Sequence, residues 1–160
     1  MASLSVVTVM VLLITGCGRK GESSGGGSQD RPSIVTVHLT ANDQIEYDKT
    51  TFTVPAGATV KLIFQNVGTL PITIMGHDVV ILKKSEDVMK FGGELMSHGA
   101  NSANNFLPAS MRDRVLAHTD LIGGGQTTSI TFTAPPAGTY PYLCTFPGHF
   151  VSMHGTMIVQ

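Results

Sequence analysis

The sequence predicts an all-β fold, an antiparallel β-sandwich with one helical insertion, and three observations lead there. From residue 34 onward, short runs rich in Val, Ile and Thr either alternate with polar residues or run apolar, as half-buried and fully buried strands do. Eighteen Gly and eight Pro separate many of these runs with turn signals. Residues 83–122 break the pattern, with about 40 positions that lack strand alternation.

Each element follows in order. Residues 34–39 alternate, with Thr36 and His38 opposite Val and Leu. Residues 51–54 alternate and stop at Pro55-Ala56-Gly57, and residues 58–65 form a third strand closed by Asn66-Val67-Gly68. Residues 70–75 and 79–82 read as strand on either side of Gly76. Residues 127–133 alternate before Pro135-Pro136-Ala137-Gly138, and residues 140–144 and 156–159 complete a set of seven or eight strands. Within the insertion, Ser85-Glu86-Asp87 opens a short helix with Val88, Phe91 and Leu95 near helical spacing. A second helical turn is expected over 109–115. Long structureless excursions are uncommon in compact domains, so the insertion should pack as a flap over the sandwich.

A chain of 160 residues and 16.9 kDa fits one domain. Ten Lys plus Arg against eleven Asp plus Glu leave a net charge of −1, which excludes a basic nucleic-acid binder or a polycationic membrane-surface protein. The two cysteines, Cys17 and Cys144, form no CxxC pair, which removes zinc ribbons and thioredoxin-type redox motifs.

The N-terminus speaks to location. Residues 2–14 are apolar or small, with no charge until Arg19. At about 1.5 Å per residue that stretch is too short for a bilayer core of about 30 Å, and it reads as the apolar part of a signal peptide. It ends in Ile14-Thr15-Gly16-Cys17, which resembles the bacterial lipobox and implies cleavage before Cys17 with diacylglycerol on its sulfur. Residues 18–32 are polar and rich in Gly and Ser, a tether whose typical span is roughly 20 Å. The expected organisation is a lipoprotein signal peptide at 1–16, a lipidated Cys17 with its flexible tether at 17–32, and a folded domain at 33–160. The expected location is the bacterial cell envelope, membrane-anchored and facing the periplasm.

The chemistry concentrates in Cys144-Thr145-Phe146-Pro147-Gly148-His149-Phe150-Val151-Ser152-Met153, with His77 upstream after Gly76. One thiolate, two imidazoles and one thioether form the ligand set of a blue-copper site. Zinc also accepts Cys and His, but rarely uses Met. A nucleophilic Cys–His pair is the enzymatic alternative, and the chain offers no evident orienting or oxyanion motif for it.

Met75-Gly76-His77, the Cys-Thr-Phe-Pro-Gly-His segment with Met153 after it, and residues 114–123 (Arg-Val-Leu-Ala-His-Thr-Asp-Leu-Ile-Gly) together resemble the azurins, type 1 blue copper proteins of the cupredoxin class. The resemblance spans residues 33–160. It implies a Greek-key cupredoxin sandwich holding one copper ion that cycles between Cu(II) and Cu(I). The ligands it implies are His77, Cys144 and His149, with Met153 as the long axial ligand and the Gly76 carbonyl opposite. It further implies N–H donors to the Cys144 sulfur from Phe146 and Asp78, and a partner-docking patch of Leu70, Ile74, Met75, Phe146, Pro147 and Val151. The implied role is a single-electron carrier rather than an enzyme, with redox partners such as c-type cytochromes, a copper nitrite reductase or a terminal oxidase.

Three departures stand out. Asp78 occupies the position where azurins usually carry Asn. Two cysteines with separate tasks cannot supply the disulfide that azurins carry near the mature N-terminus. The chain has no Trp, so its core must pack differently. A binuclear copper centre would need two cysteines in the ligand loop, and a multicopper oxidase would need His-x-His pairs; both are absent. A copper chaperone would offer exposed, exchangeable Met and His clusters in place of a thiolate within a short loop.

Overall fold

The computed structural model describes residues 33–160. The signal peptide and tether expected over 1–32, Cys17 among them, lie outside the described residues. Among the described residues, eight strands form two sheets: β1 (Ile34–Ala41), β3 (Thr59–Asn66) and β6 (Thr127–Thr133) in one, with β3 central. The other runs in the order β2 (Thr51–Val54), β8 (His154–Val159), β7 (Gly138–Leu143), β4 (Val80–Leu82) and β5 (Val115–His118). The expected sandwich is present with mixed pairing: β1 lies parallel to β3 and β2 parallel to β8, and the remaining pairs are antiparallel. Local alternation reports burial of each strand's two faces and carries no information on the direction of its neighbour.

Alternation works as the sequence suggests in β3, where Val60, Leu62 and Phe64 point inward while Lys61 and Gln65 face water. Val37 and Leu39 of β1 join them, with Val54, Met157 and Val159 from the opposite sheet. In place of an indole, the interior holds an aromatic set. Tyr47 meets Phe64 edge-on at 6.1 Å and Tyr142 at 5.4 Å, and Phe52 lies 5.4 Å from Tyr142. Both buried hydroxyls have partners, Tyr47 donating to the Asp78 carbonyl and Tyr142 to that of Lys49, each at 2.5 Å.

The short strand β4 is buried on both faces. Ile81 faces the main core, while Val80 and Leu82 join Leu143 in a second cluster beneath the insertion. That cluster takes Phe91 and Leu95 from helix α2 (Val88–Glu94) and its C-cap, with Leu107 and Met111 from the following segment. Each such side chain contributes about 1.5–3 kcal/mol on burial, so the flap is packed onto the sandwich. Asp87 caps α2 by accepting from Lys90 N at 2.7 Å. The helical turn expected over 109–115 is a 3-10 helix, Ala109–Arg114. Arg114 then reaches back, donating to Glu86 and Glu94 at 2.6 Å each and lying 4.8 Å over the Phe91 ring.

Two expectations need correction. Residues 70–75 read as strand in the sequence, but the segment holds a one-turn helix, α1 (Ile72–Met75), with Pro71 at its N-cap. None of its residues is buried, so its apolar character does not come from a strand core. Strand β5 lies inside the stretch expected to lack strands. All four of its residues are half-buried, as on a sheet edge, so no inside-outside alternation marks it. Among the described residues, no helix is long and apolar enough to cross a membrane.

Candidate metal centre

Two distant parts of the chain supply the site. His77 follows α1 at an isolated bridge to Ile122, with N–H···O bonds of 2.9 Å in both directions. Its ring is oriented as firmly as its backbone, because Nε2–H donates to the Asn42 carbonyl at 2.9 Å. That bond selects the tautomer whose Nδ1 lone pair is free, and Nδ1 lies 3.9 Å from the Cys144 sulfur. Gly76 precedes it where no side chain fits: a Cβ would stand 2.8 Å from the Ile72 carbonyl and 3.0 Å from Leu121 and Phe146 atoms. The Gly76 carbonyl oxygen is 4.0 Å from the Cys144 sulfur.

Cys144 follows β7, and the chain then folds back on itself. Phe146 to His149 form a turn closed by His149 N–H to the Phe146 carbonyl at 3.0 Å. Pro147 and Gly148 suit its two central positions, Gly148 at φ 81°, the pattern of a type II turn. A short 3-10 helix, His149–Val151, leads to Met153. Met153 donates to the His149 carbonyl at 2.8 Å, and its own carbonyl accepts from Cys144 N–H at 3.0 Å. The loop is thereby closed at its base. His149 Nδ1 lies 3.8 Å from the Cys144 sulfur.

The three donor atoms of His77, Cys144 and His149 lie within 4.8 Å of one another, and all three residues are buried. Met153 is fully buried in the same core cluster as Cys144. Burial lowers the pKa of His77; burial and then the neighbouring His77 charge push His149 down to about 4. Both rings are therefore neutral near pH 7 and keep a lone pair. Burial raises the Cys144 thiol, and the Asp78 charge adds to it, while the backbone N–H groups of Asp78 and Phe146 act the other way.

The donor set decides which metal fits. Soft sulfur beside two neutral imidazoles, with a thioether in the same buried cluster, matches copper better than zinc, magnesium or calcium.

Of the expected docking residues, Ile74 and Val151 are 60% and 61% exposed. Leu70 and Pro147 are also exposed, whereas Met75 and Phe146 are half-buried. Sequence reasoning missed several supports. Asn42 acts through its backbone carbonyl, so its side chain carries no signal. Asn66, read as a turn residue, is buried and sends its amide toward the Met75 and Ile122 carbonyls at 3.4 Å. Thr145 sits beside Cys144 in the motif and binds Asp78 with both its N–H and its hydroxyl.

A family model for copper binding proteins of the plastocyanin/azurin family matches residues 34–160. Auracyanin-A of Chloroflexus aurantiacus is 36% identical over the whole of this chain and 96% of the relative. Azurin iso-2 of Methylomonas sp. strain J is 38% identical over 76% of this chain and 95% of the relative. Among solved structures, reduced auracyanin from Roseiflexus castenholzii superposes with a TM-score of 0.69 at 38% identity, covering 80% of this chain and 98% of that one. Auracyanin A from Chloroflexus aurantiacus, described as a "blue" copper protein, gives 0.70 at 35% identity over 80% of this chain and all of that one.

Proposed function

The chain belongs to the plastocyanin/azurin family of copper-binding proteins, and from that premise we propose that it is a membrane-tethered, periplasm-facing carrier of single electrons. The observation that carries this reading is the convergence of the Cys144 sulfur and the Nδ1 atoms of His77 and His149 in one buried cluster. Copper bound there supplies one-electron exchange between Cu(II) and Cu(I). The chain's contribution is to hold the donors still. Cu(I) favours soft sulfur ligands and few of them, while Cu(II) favours a tetragonal set, so donors that do not move lower the cost of exchange. The closed loop from Cys144 to Met153, the Asn42 bond to His77 and the Ile122 bridge supply that stillness.

A carrier suits this geometry better than an enzyme. His77, Cys144 and Met153 are fully buried and His149 is 5% exposed, which leaves little room for a substrate at the donors. The exposed apolar side chains Leu70, Ile74 and Val151 suit brief docking of redox proteins. Partners of that kind include c-type cytochromes, a copper nitrite reductase or a terminal oxidase.

Tethering through Cys17 fits the direction of β1. Ala41, at its end, pairs with Asn66, and the next residue, Asn42, supports His77. Ile34 starts the strand seven residues earlier, about 23 Å away at strand rise. A lipid anchor upstream of Ile34 would therefore enter the domain at the end of β1 opposite to Asn42. The test of the whole reading is to mix copper-loaded, reduced protein with an oxidised c-type cytochrome and follow both chromophores by stopped flow. Equal and opposite single-electron changes are expected, and a loaded protein that exchanges no electrons contradicts the carrier role. Expressed from the full gene in a bacterium, wild type should sit in the membrane fraction and Cys17→Ala should be released. Retention of that variant contradicts the anchor.

A further inference from the structure

We propose that helix α2 of the flap is a buttress that sets the position of the His149 imidazole, acting through contact between Gly92 and the Phe150 ring. The inference rests on the reading of His149 as a copper ligand.

Gly92 is buried on the face of α2 that meets the turn His149–Val151. A Cβ placed on it would stand 2.3 Å from Phe150 Cγ, 2.4 Å from Cδ2 and 2.7 Å from Cδ1. The Phe150 ring thus lies directly on the helix backbone, in space that only glycine leaves open. All three atoms belong to the root of the ring, next to its own Cβ, so swinging the ring's far edge does not relieve the contact. Relief requires Phe150 to leave its χ1 rotamer or its backbone to shift, and His149 is the preceding residue in the same short helical turn. From the other side, the Phe150 carbonyl accepts from His154 Nδ1 at 2.9 Å, so the turn is held between strand β8 and the flap.

The buttress is itself anchored. Asp87 caps α2, Phe91 and Leu95 sink into the flap core, and Arg114 binds Glu94 at its last turn and Glu86 just before it. Interiors are close-packed and transmit displacement. A shift of α2 is therefore passed through the Gly92–Phe150 contact to a donor whose Nδ1 must converge with the Cys144 sulfur. Gly93 supplies a built-in control: it is exposed, and a Cβ added there would have no neighbour within 4 Å.

The experiment compares full-chain wild type with Gly92→Ala, Gly93→Ala, Phe150→Ala and the Gly92→Ala/Phe150→Ala double variant. Three readouts are taken: the NMR signals of the His149 ring in metal-free protein, the rate of copper release to a chelator, and the copper hyperfine splitting. Gly92→Ala should shift the ring signals, speed release by about ten- to a hundredfold and change the splitting. Gly93→Ala should match wild type in all three. In the double variant, adding Gly92→Ala to Phe150→Ala should change nothing further, because the lever is gone. The proposal is overturned if Gly92→Ala lowers thermal stability yet leaves ring signals, release and splitting unchanged, or if its effect persists without the Phe150 ring. If wild type shows no thiolate–copper spectrum, the reading of His149 as a ligand fails and the proposal falls with it. A normal wild-type spectrum beside an inert Gly92→Ala overturns the buttress alone.

Discussion

Asp78 grips Thr145 with both carboxylate oxygens: Oδ1 accepts the Thr145 N–H at 2.7 Å and Oδ2 accepts its hydroxyl at 2.5 Å. Asp78 follows the donor His77 and Thr145 follows the donor Cys144, so this double bond ties the two halves of the site together. Burial pushes the Asp78 carboxyl up to about 6, and the Thr145 hydrogen bonds oppose it. At pH 7 a largely ionised carboxylate thus sits beside the donors, next in the chain to His77 and bonded to the residue after Cys144.

A negative charge there favours the more highly charged copper state. Asp78→Asn removes the charge and keeps one acceptor for the Thr145 N–H, so the reduction potential should rise. An interaction of about 1.4 kcal/mol corresponds to about 59 mV for one electron. A redox titration of both proteins at pH 7 measures the difference, and an unchanged or lower value for the variant contradicts this account of the charge.

Asp43 secures the loop leading to α1. It accepts from Thr69 N at 2.8 Å and from the Thr69 hydroxyl at 3.0 Å. The Thr69 backbone bond is the main reason its pKa falls below the ordinary value. A carboxyl depressed in the folded state stabilises above its unfolded pKa of about 3.9, and that stabilisation fades as pH falls through the folded value. The thermal gap between wild type and Asp43→Ala, in metal-free protein, should therefore be full at pH 6 and shrink below about pH 4. A gap that stays constant to pH 3 contradicts the assignment.

Gly155 of β8 lies under Tyr142 of β7. A Cβ there would meet the ring's Cζ and hydroxyl at 2.3 Å and the Thr50 carbonyl at 2.6 Å. Gly155→Ala should destabilise by about 1–3 kcal/mol through overpacking. Thermal unfolding should show Tm lower by roughly 5–10 °C. A Tm within about 1 °C of wild type would mean that the aromatic set yields at little cost.

Val151 is 61% exposed, two residues after His149. Val151→Asp should slow electron exchange with a partner while the visible spectrum stays as in wild type. An unchanged rate places the docking surface elsewhere.

Much of this architecture is legible in the sequence because local physics determines it. Residues 51–54 and 127–133 alternate and form strands at those bounds, since each has one face inward. Asp87 and the Phe91–Leu95 spacing mark α2 because capping and helical period are local. The donors are legible because three of the four share one loop, where spacing encodes geometry. What stays hidden depends on partners far away in the chain. The parallel pairing of β1 with β3 leaves no trace in either strand. Helix α1 reads as strand because Ile72 and Ile74 look like core residues, yet they are 38% and 60% exposed. The grip of Asp78 on Thr145 joins residues 67 positions apart. The contact of Gly92 with Phe150 likewise links the flap to the ligand loop, and a helical glycine ordinarily suggests only a weak helix.

The central claim, that Cys144 binds copper as a thiolate with His77 and His149, is tested most directly by titrating metal-free protein with Cu(II) while recording visible and electron paramagnetic resonance spectra. An intense blue band with unusually small copper hyperfine splitting, saturating at one equivalent and lost in Cys144→Ser, is the expected result. A weak, broad band with ordinary splitting, or one that survives the loss of Cys144, contradicts it.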